Sequence, residues 1–164
     1  MTESVTAGWS EFAAAAAGAA AALAGLVMVA ISVNIREILT LPGLPARAAA
    51  AVGSLVLVVV TGLLLLIPAQ TNGALGIELL AATLGAVWLH LVSLNQISRQ
   101  TERPRAARAL SFPLAALQLI PLIVGALLVL AGTGGALYWV AAGLVLTVIG
   151  SMLDAWVLMV EILR

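Results

Sequence analysis

Long apolar runs alternate with short polar or proline-containing breaks along the whole chain. An apolar helix needs roughly 20 residues to cross the ~30 Å hydrocarbon core of a bilayer. The pattern predicts five such spans, at about residues 9–35, 46–67, 74–97, 110–131 and 136–163, with helix continuing from the first span to Thr40. Proline, glycine or charged residues interrupt the runs between them. We therefore predict an all-α integral membrane protein, one domain over residues 1–164 built as a bundle of five transmembrane helices.

Composition narrows the classes of function. Hydrophobic residues make up 63% of the 164 residues and charged residues 9%, against about 25% charged residues in soluble domains. The net charge of zero argues against nucleic acid as a partner. The chain has no cysteine, so disulfides and thiolate metal sites are excluded, and we expect no metal and no cofactor. Phosphate-loop, zinc-protease and serine-hydrolase motifs are also missing, so we expect no enzymatic activity and no catalytic residues.

The basic residues indicate an orientation. All seven are arginines, at positions 36, 47, 99, 103, 105, 108 and 164. They fall in the first and third predicted loops and at the C-terminal end, and cytoplasmic loops of membrane proteins carry the excess of such residues. The sequence therefore predicts the N-terminus outside and the C-terminus in the cytoplasm. The arginines expected to contact lipid headgroups or a partner protein are Arg36, Arg99, Arg103, Arg105 and Arg108.

Small or polar residues recur at every seventh position on four of the predicted helices. The rows are Glu11–Gly18–Gly25–Ser32, Arg47–Ser54–Thr61–Pro68, Ser111–Gln118–Gly125–Gly132 and, on the fifth helix, Gly143–Gly150 beside Thr147–Asp154–Glu161. A seven-residue period stays on one face of helices that cross at a shallow left-handed angle. We expect these rows to be packing surfaces between helices. The alternative is that one polar row lines a water-filled path.

Three polar side chains, His90, Gln118 and Asp154, are predicted to share one depth in the inner half of the membrane. Each lies nine or ten residues from an arginine at the cytoplasmic end of its helix, which is roughly 13–15 Å. An isolated carboxylate at that depth costs at least about 2.5–3.5 kcal/mol, so we expect Asp154 to be protonated, hydrated or paired, with His90 as partner and Gln118 as a bridge. Asn34 and Asn95 lie nearer the inner surface. The layer either handles protons or cations, or fixes the register of the helices by hydrogen bonds.

Two glutamates lie near the outer ends of predicted helices. Glu11 and Glu78 are each close to a predicted helix N-terminus, where the helix dipole favours a carboxylate. The alternative is that a ring of these side chains in an oligomer attracts cations to an outer mouth.

Part of the chain resembles a known group of proteins. The stretches GAAAALAGLVMVAISVNIREIL (Gly18–Leu39), LPGLPARA (Leu41–Ala48) and LGIELL (Leu75–Leu80) resemble small bacterial, often actinobacterial, membrane proteins, some of which are labelled modulator of FtsH protease. The resemblance covers roughly the first half of the chain. It implies a multi-pass protein of the bacterial plasma (inner) membrane and carries over no catalytic or binding residues.

Three functions follow as hypotheses, of which the first is favoured. It is a homo-oligomeric channel or pathway for cations or protons, motivated by the polar layer and the seven-residue rows. The second is a regulatory or accessory subunit that binds another membrane protein, such as a membrane protease, through the alanine- and glycine-rich first helix. The third is a binder of lipids or small molecules, with the cytoplasmic arginines holding anionic headgroups.

Overall fold

The chain is helical in every part that its structure describes. The computed structural model describes residues 6, 8–40, 43–98 and 105–162, and the side chains within these ranges except those of 96–98, 105–114 and 161–162. The helices are, in order, α1 (Ser10–Val33), α2 (Ile35–Thr40), α3 (Leu44–Leu66), α4 (Asn72–Ser98), α5 (Arg105–Leu130) and α6 (Ala136–Ile162). No strand occurs in these ranges. The predicted all-α class is confirmed.

Four of the helices have the length and the apolar character of membrane spans. They are α1, α3, α4 over Asn72–Asn95, and α6 over Ala136–Val160. Helix α5 is 26 residues long, and the part of it whose side chains are described contains the apolar segment Ala115–Leu130. The chain is therefore a helical protein with several segments suited to crossing a membrane.

Three helices begin earlier than the sequence pattern predicted: α4 by two residues, at Asn72, and α3 and α5 as follows. Helix α3 begins at Leu44 because Pro45 lies in its first turn, where the missing N–H group has no intrahelical partner in any case. Gly43 precedes it with a φ of 81°, a backbone conformation that glycine adopts without strain. Helix α5 begins at Arg105. Arg105 and Arg108, which were predicted in a loop, therefore lie in its first turns.

The first predicted helix is interrupted before Thr40. Asn34 separates α1 from α2, and its backbone leaves the helical region with φ of −105° and ψ of 20°. Its side-chain Nδ2 donates a hydrogen bond to the carbonyl oxygen of Ala30 at 2.9 Å. Asparagine offers the backbone such alternative partners, which is why it favours helix ends. The predicted continuous helix is thus two helices.

Helices α3, α4, α5 and α6 form a four-helix bundle. In this ring α3 packs against α4, α4 against α5, α5 against α6, and α6 against α3. Glycines bring α5 and α6 together: a Cβ on Gly125 would lie 2.7 Å from Val140 Cγ2, and one on Gly143 would lie 2.6 Å from Leu122 Cγ. The rows predicted on α3, α5 and α6 therefore include contacts inside the bundle.

Helix α1 lies outside this ring and packs mainly on α3. The contact is close at Gly62, where a Cβ would lie 2.8 Å from the carbonyl oxygen of Ala13 and 2.9 Å from Ala17 Cβ. The seven-residue row of α1 points the other way: all four of its members are exposed, and a Cβ on Gly18 or Gly25 would meet nothing within 4 Å. Within the described chain this row is not a packing surface, contrary to the prediction.

Candidate functional site

An ion pair joins two helices at the end of the bundle where α3 begins and α6 ends. Arg47, in the first turn of α3, places its Nη2 3.7 Å from Asp154 Oδ1 on α6, and the two side chains are 14% and 21% exposed. Asp154 is therefore paired, as predicted, but with Arg47 instead of His90. The sequence analysis assigned Arg47 to the first predicted loop and did not consider it as a partner, whereas its long side chain reaches into the bundle.

His90 is held by the neighbouring helix. Its Nε2 lies 2.8 Å from Ser54 Oγ on α3, and both side chains are buried. The hydroxyl donates when Nε2 carries no hydrogen, and the ring donates when it does. His90 is also close enough to Asp154 for their charges to interact. The seven-residue row on α3 thus supplies partners for both ionisable groups, since Ser54 follows Arg47 by seven residues.

Gln118 is packed between α5 and α6. A Cβ on Gly150 would overlap the Gln118 amide, so the glycine makes the space that this side chain fills. The backbone carbonyl oxygen of Gln118 lies 3.4 Å from Thr147 Oγ1 on α6. The same hydroxyl donates to the backbone carbonyl oxygen of Gly143 at 2.7 Å. Ser151 Oγ donates in turn to the carbonyl oxygen of Thr147 at 2.7 Å. The small and hydroxyl residues of α6 therefore surround Gln118.

These contacts define a layer with one side chain from each helix of the bundle. Ser54 meets His90 directly, and Gln118 meets Thr147 through its backbone. Ser54 lies seven residues from Arg47 on α3, and Thr147 lies seven residues from Asp154 on α6, which is about 10 Å along each helix. Because α3 and α6 are antiparallel and the ion pair joins them, Ser54 and Thr147 lie at about the same level of the bundle. Ser54, Gln118 and Thr147 are at most 1% exposed and His90 is 8% exposed. We call these four residues the polar layer.

Asp154 lies near the polar layer without being one of its four residues. It pairs with Arg47, and its charge interacts with that of His90. The predicted common depth of His90, Gln118 and Asp154 stays a prediction.

Buried hydroxyl groups occur further along the bundle, towards the end at which α3 ends and α4 begins. Thr61 follows Ser54 by seven residues and Thr83 precedes His90 by seven, so each lies about two turns further along its own helix. Both are buried. Thr83 donates to the carbonyl oxygen of Leu79 at 2.7 Å, whereas Thr61 Oγ1 and both polar atoms of the Gln118 amide have no hydrogen-bond partner. The row Gly76–Thr83–His90 on α4 was the sequence signal for Thr83, and it went unrecognised.

Four other predicted residues lie away from the polar layer. Asn34 ends α1, and Asn95 is exposed on α4. Glu11 is exposed in the first turn of α1, where the helix dipole favours it as predicted. Glu78 is not in the first turn of α4, which begins at Asn72; it accepts a hydrogen bond from Gln70 Nε2 instead. The two glutamates therefore have different local roles.

The predicted headgroup arginines are described only in part. Arg36 is exposed on α2. Arg99 and Arg103 lie outside the described residues, and of Arg105 and Arg108 only the backbone is described, as part of α5. Among the described residues no group of three histidine, aspartate or glutamate side chains is placed to hold a metal ion.

The chain stands apart in comparisons with known proteins. It matches no protein family, no curated protein and no solved structure. The functional argument therefore depends on the geometry of the polar layer and the ion pair.

Proposed function

We propose that this chain is a five-span protein of a bacterial plasma membrane that passes protons along the interior of the α3–α6 bundle. In this proposal α5 is the fifth span, the N-terminus is outside and the C-terminus is cytoplasmic. The observation that carries it is the polar layer, to which each of four helices contributes one buried polar side chain. Ionisable groups inside a membrane span are costly and usually mark ion or proton pathways.

The ionisable side chains are placed for transfer in steps. Asp154 lies at the inner end beside the Arg47 guanidinium, and its carboxylate accepts a proton from the cytoplasmic side. His90 lies at the next level, and its imidazole ring takes up the proton on one nitrogen and releases it from the other. The Ser54 hydroxyl, 2.8 Å from the His90 ring, relays the proton, and Thr61 and Thr83 continue the path outwards.

Dense packing favours protons over larger ions. The Gln118 amide lies directly on the backbone of Gly150, and Ser54 and Thr147 are buried completely. A hydrated metal cation needs an open channel, whereas a proton moves along hydroxyl, imidazole and carboxylate groups joined by hydrogen bonds. The path lies within one chain and needs no central pore between copies, so the predicted homo-oligomer remains a prediction.

The unpaired atoms favour a pathway over a purely structural layer. An unsatisfied buried polar group costs about 1–3 kcal/mol, and a layer that only fixed helix register would have its groups paired. The Gln118 amide and the Thr61 hydroxyl have no protein partner. Water molecules that enter the bundle would pair with them and link the hydroxyl groups into a continuous path.

The test is proton flux into liposomes that contain the purified protein and a pH-sensitive dye, driven by a potassium diffusion potential. We expect flux with the wild type and a loss of roughly 10²-fold in His90→Gln, the size of one proton-transfer group. Gln118→Leu should also lose flux, and Asn34→Leu, which removes an amide outside the bundle, should keep it. The proposal would be contradicted if liposomes that contain folded wild-type protein showed no proton flux, or if His90→Gln gave the same flux as the wild type.

A second candidate function is supported by the exposed row of α1. A helix that presents Gly18 and Gly25 to the membrane has a surface on which another helix packs closely. The chain would then be an accessory subunit of another membrane protein. Tight liposomes in the flux test would favour this candidate, which makes no use of the polar layer.

A further inference from the structure

A groove on the outer surface of the bundle lies between α1 and α4, with α3 as its floor. It encloses about 620 Å³, within the range of about 300–1,000 Å³ that is typical of ligand sites. The side chains that line it are apolar, among them Met28, Ile31, Val52, Val56 and Leu89. The groove is separate from the polar layer, which faces the interior of the bundle.

The groove is long and narrow enough to follow one helix. Along α3 its lining runs from Pro45 to Val60, which is fifteen steps and about 22 Å. That is longer than the ~15 Å depth of one leaflet of a ~30 Å hydrocarbon core, so the groove extends past the middle of the apolar region. Its open side faces away from the bundle, where lipid chains lie in a membrane.

One end of the groove is formed by α2. Ile35, Ile38 and Leu39 line it there. On a helical wheel Arg36 lies at the flank of this face, next to Leu39, and Glu37 lies on the opposite face. Both charged side chains are exposed. Of the two charged residues of α2, the arginine is therefore the one nearer to the face that lines the groove.

We infer that the groove binds an acyl chain of an anionic phospholipid whose phosphate pairs with Arg36. The carbon-lined walls accept the chain, and the single cation at the lip selects the headgroup. The inference is independent of proton transfer, because it uses no residue of the polar layer.

The test measures retained lipid by native mass spectrometry after reconstitution into a mixture of phosphatidylglycerol and phosphatidylethanolamine and mild detergent extraction. Gly85→Leu fills the groove, since Gly85 lines it and a Cβ there meets nothing within 4 Å. We expect this variant to lose the retained phosphatidylglycerol. Gly18→Leu is the matched control, because Gly18 is equally open but lies outside the groove. Ala49→Leu, at another exposed lining position, repeats the test should Gly85→Leu fail to fold.

The headgroup is tested separately. Arg36→Gln should lower the preference for phosphatidylglycerol about fivefold, the contribution of one surface arginine to anionic-lipid binding, while total lipid retention stays. Equal retention in Gly85→Leu and Gly18→Leu would overturn the groove as the site. An unchanged headgroup preference in Arg36→Gln would overturn the role of the arginine.

Discussion

Asp154 and Arg47 show what a single charged residue in a membrane helix requires. The carboxylate of Asp154 lies well inside α6, and the guanidinium of Arg47 crosses from α3 to meet it. The cost of an isolated carboxylate predicted that a partner exists. It did not predict which partner, because the two residues are more than a hundred positions apart and His90 satisfied the same requirement.

Replacing Arg47 is expected to destabilise the bundle, because Asp154 then loses its guanidinium. Insertion scales give about 2.5–3.5 kcal/mol for an isolated charge, and the partial exposure of this pair places Arg47→Leu at the lower end. The double variant Arg47→Leu/Asp154→Leu removes both charges and should recover most of the loss. Thermal unfolding in detergent measures the stability of the single and the double variant. Arg36→Leu is the control, because Arg36 is exposed and its replacement should change the stability little. A double variant no more stable than Arg47→Leu would contradict the pairing.

At the scale of helices, the sequence predicted which residues share a face but not what that face meets. The rows on α3, α5 and α6 lie in the bundle, while the row on α1 is exposed. Gly18 and Gly143 each belong to a seven-residue row in the sequence, yet of these two glycines only Gly143 has another helix packed against it. A period of seven residues fixes a direction on one helix; the neighbour in that direction depends on how all the helices pack.

Gly62 is the glycine on which the position of α1 depends most. In Gly62→Ala the new Cβ would press on the backbone of Ala13, which cannot move aside as a flexible side chain does. Overpacking of this kind costs about 1–3 kcal/mol, and we expect a lower thermal unfolding temperature in detergent. Gly25→Ala is the control: its Cβ meets open space, and alanine is the better helix former by about 0.5–1 kcal/mol. Equal unfolding temperatures for the two variants would show that α1 is not held at this contact.

At the scale of the molecule, hydropathy predicted the helices well and their arrangement not at all. The predicted fifth span, 136–163, agrees with α6 (Ala136–Ile162) because the turn before it is only five residues long, 131–135, and contains two glycines at positive φ, Gly132 and Gly135. The four-helix ring with α1 outside has no signature in any single helix. The long helices are apolar over most of their surface, so hydropathy alone does not distinguish their interior faces from their lipid-facing surface.

The orientation of the whole chain can be tested cleanly because it has no cysteine. Single cysteines at Thr71 and Thr133, both exposed in the turns that bound α4 and α5, should react with a membrane-impermeant maleimide from outside intact cells. A cysteine at Thr40, exposed at the end of α2, should react only in inverted vesicles, since the arginine-rich end is placed in the cytoplasm. Reaction of Thr71→Cys and Thr133→Cys from opposite sides would mean that one of the two helices between them does not cross. Reaction of all three from the unexpected side would reverse the orientation and with it the direction in which Asp154 receives its proton.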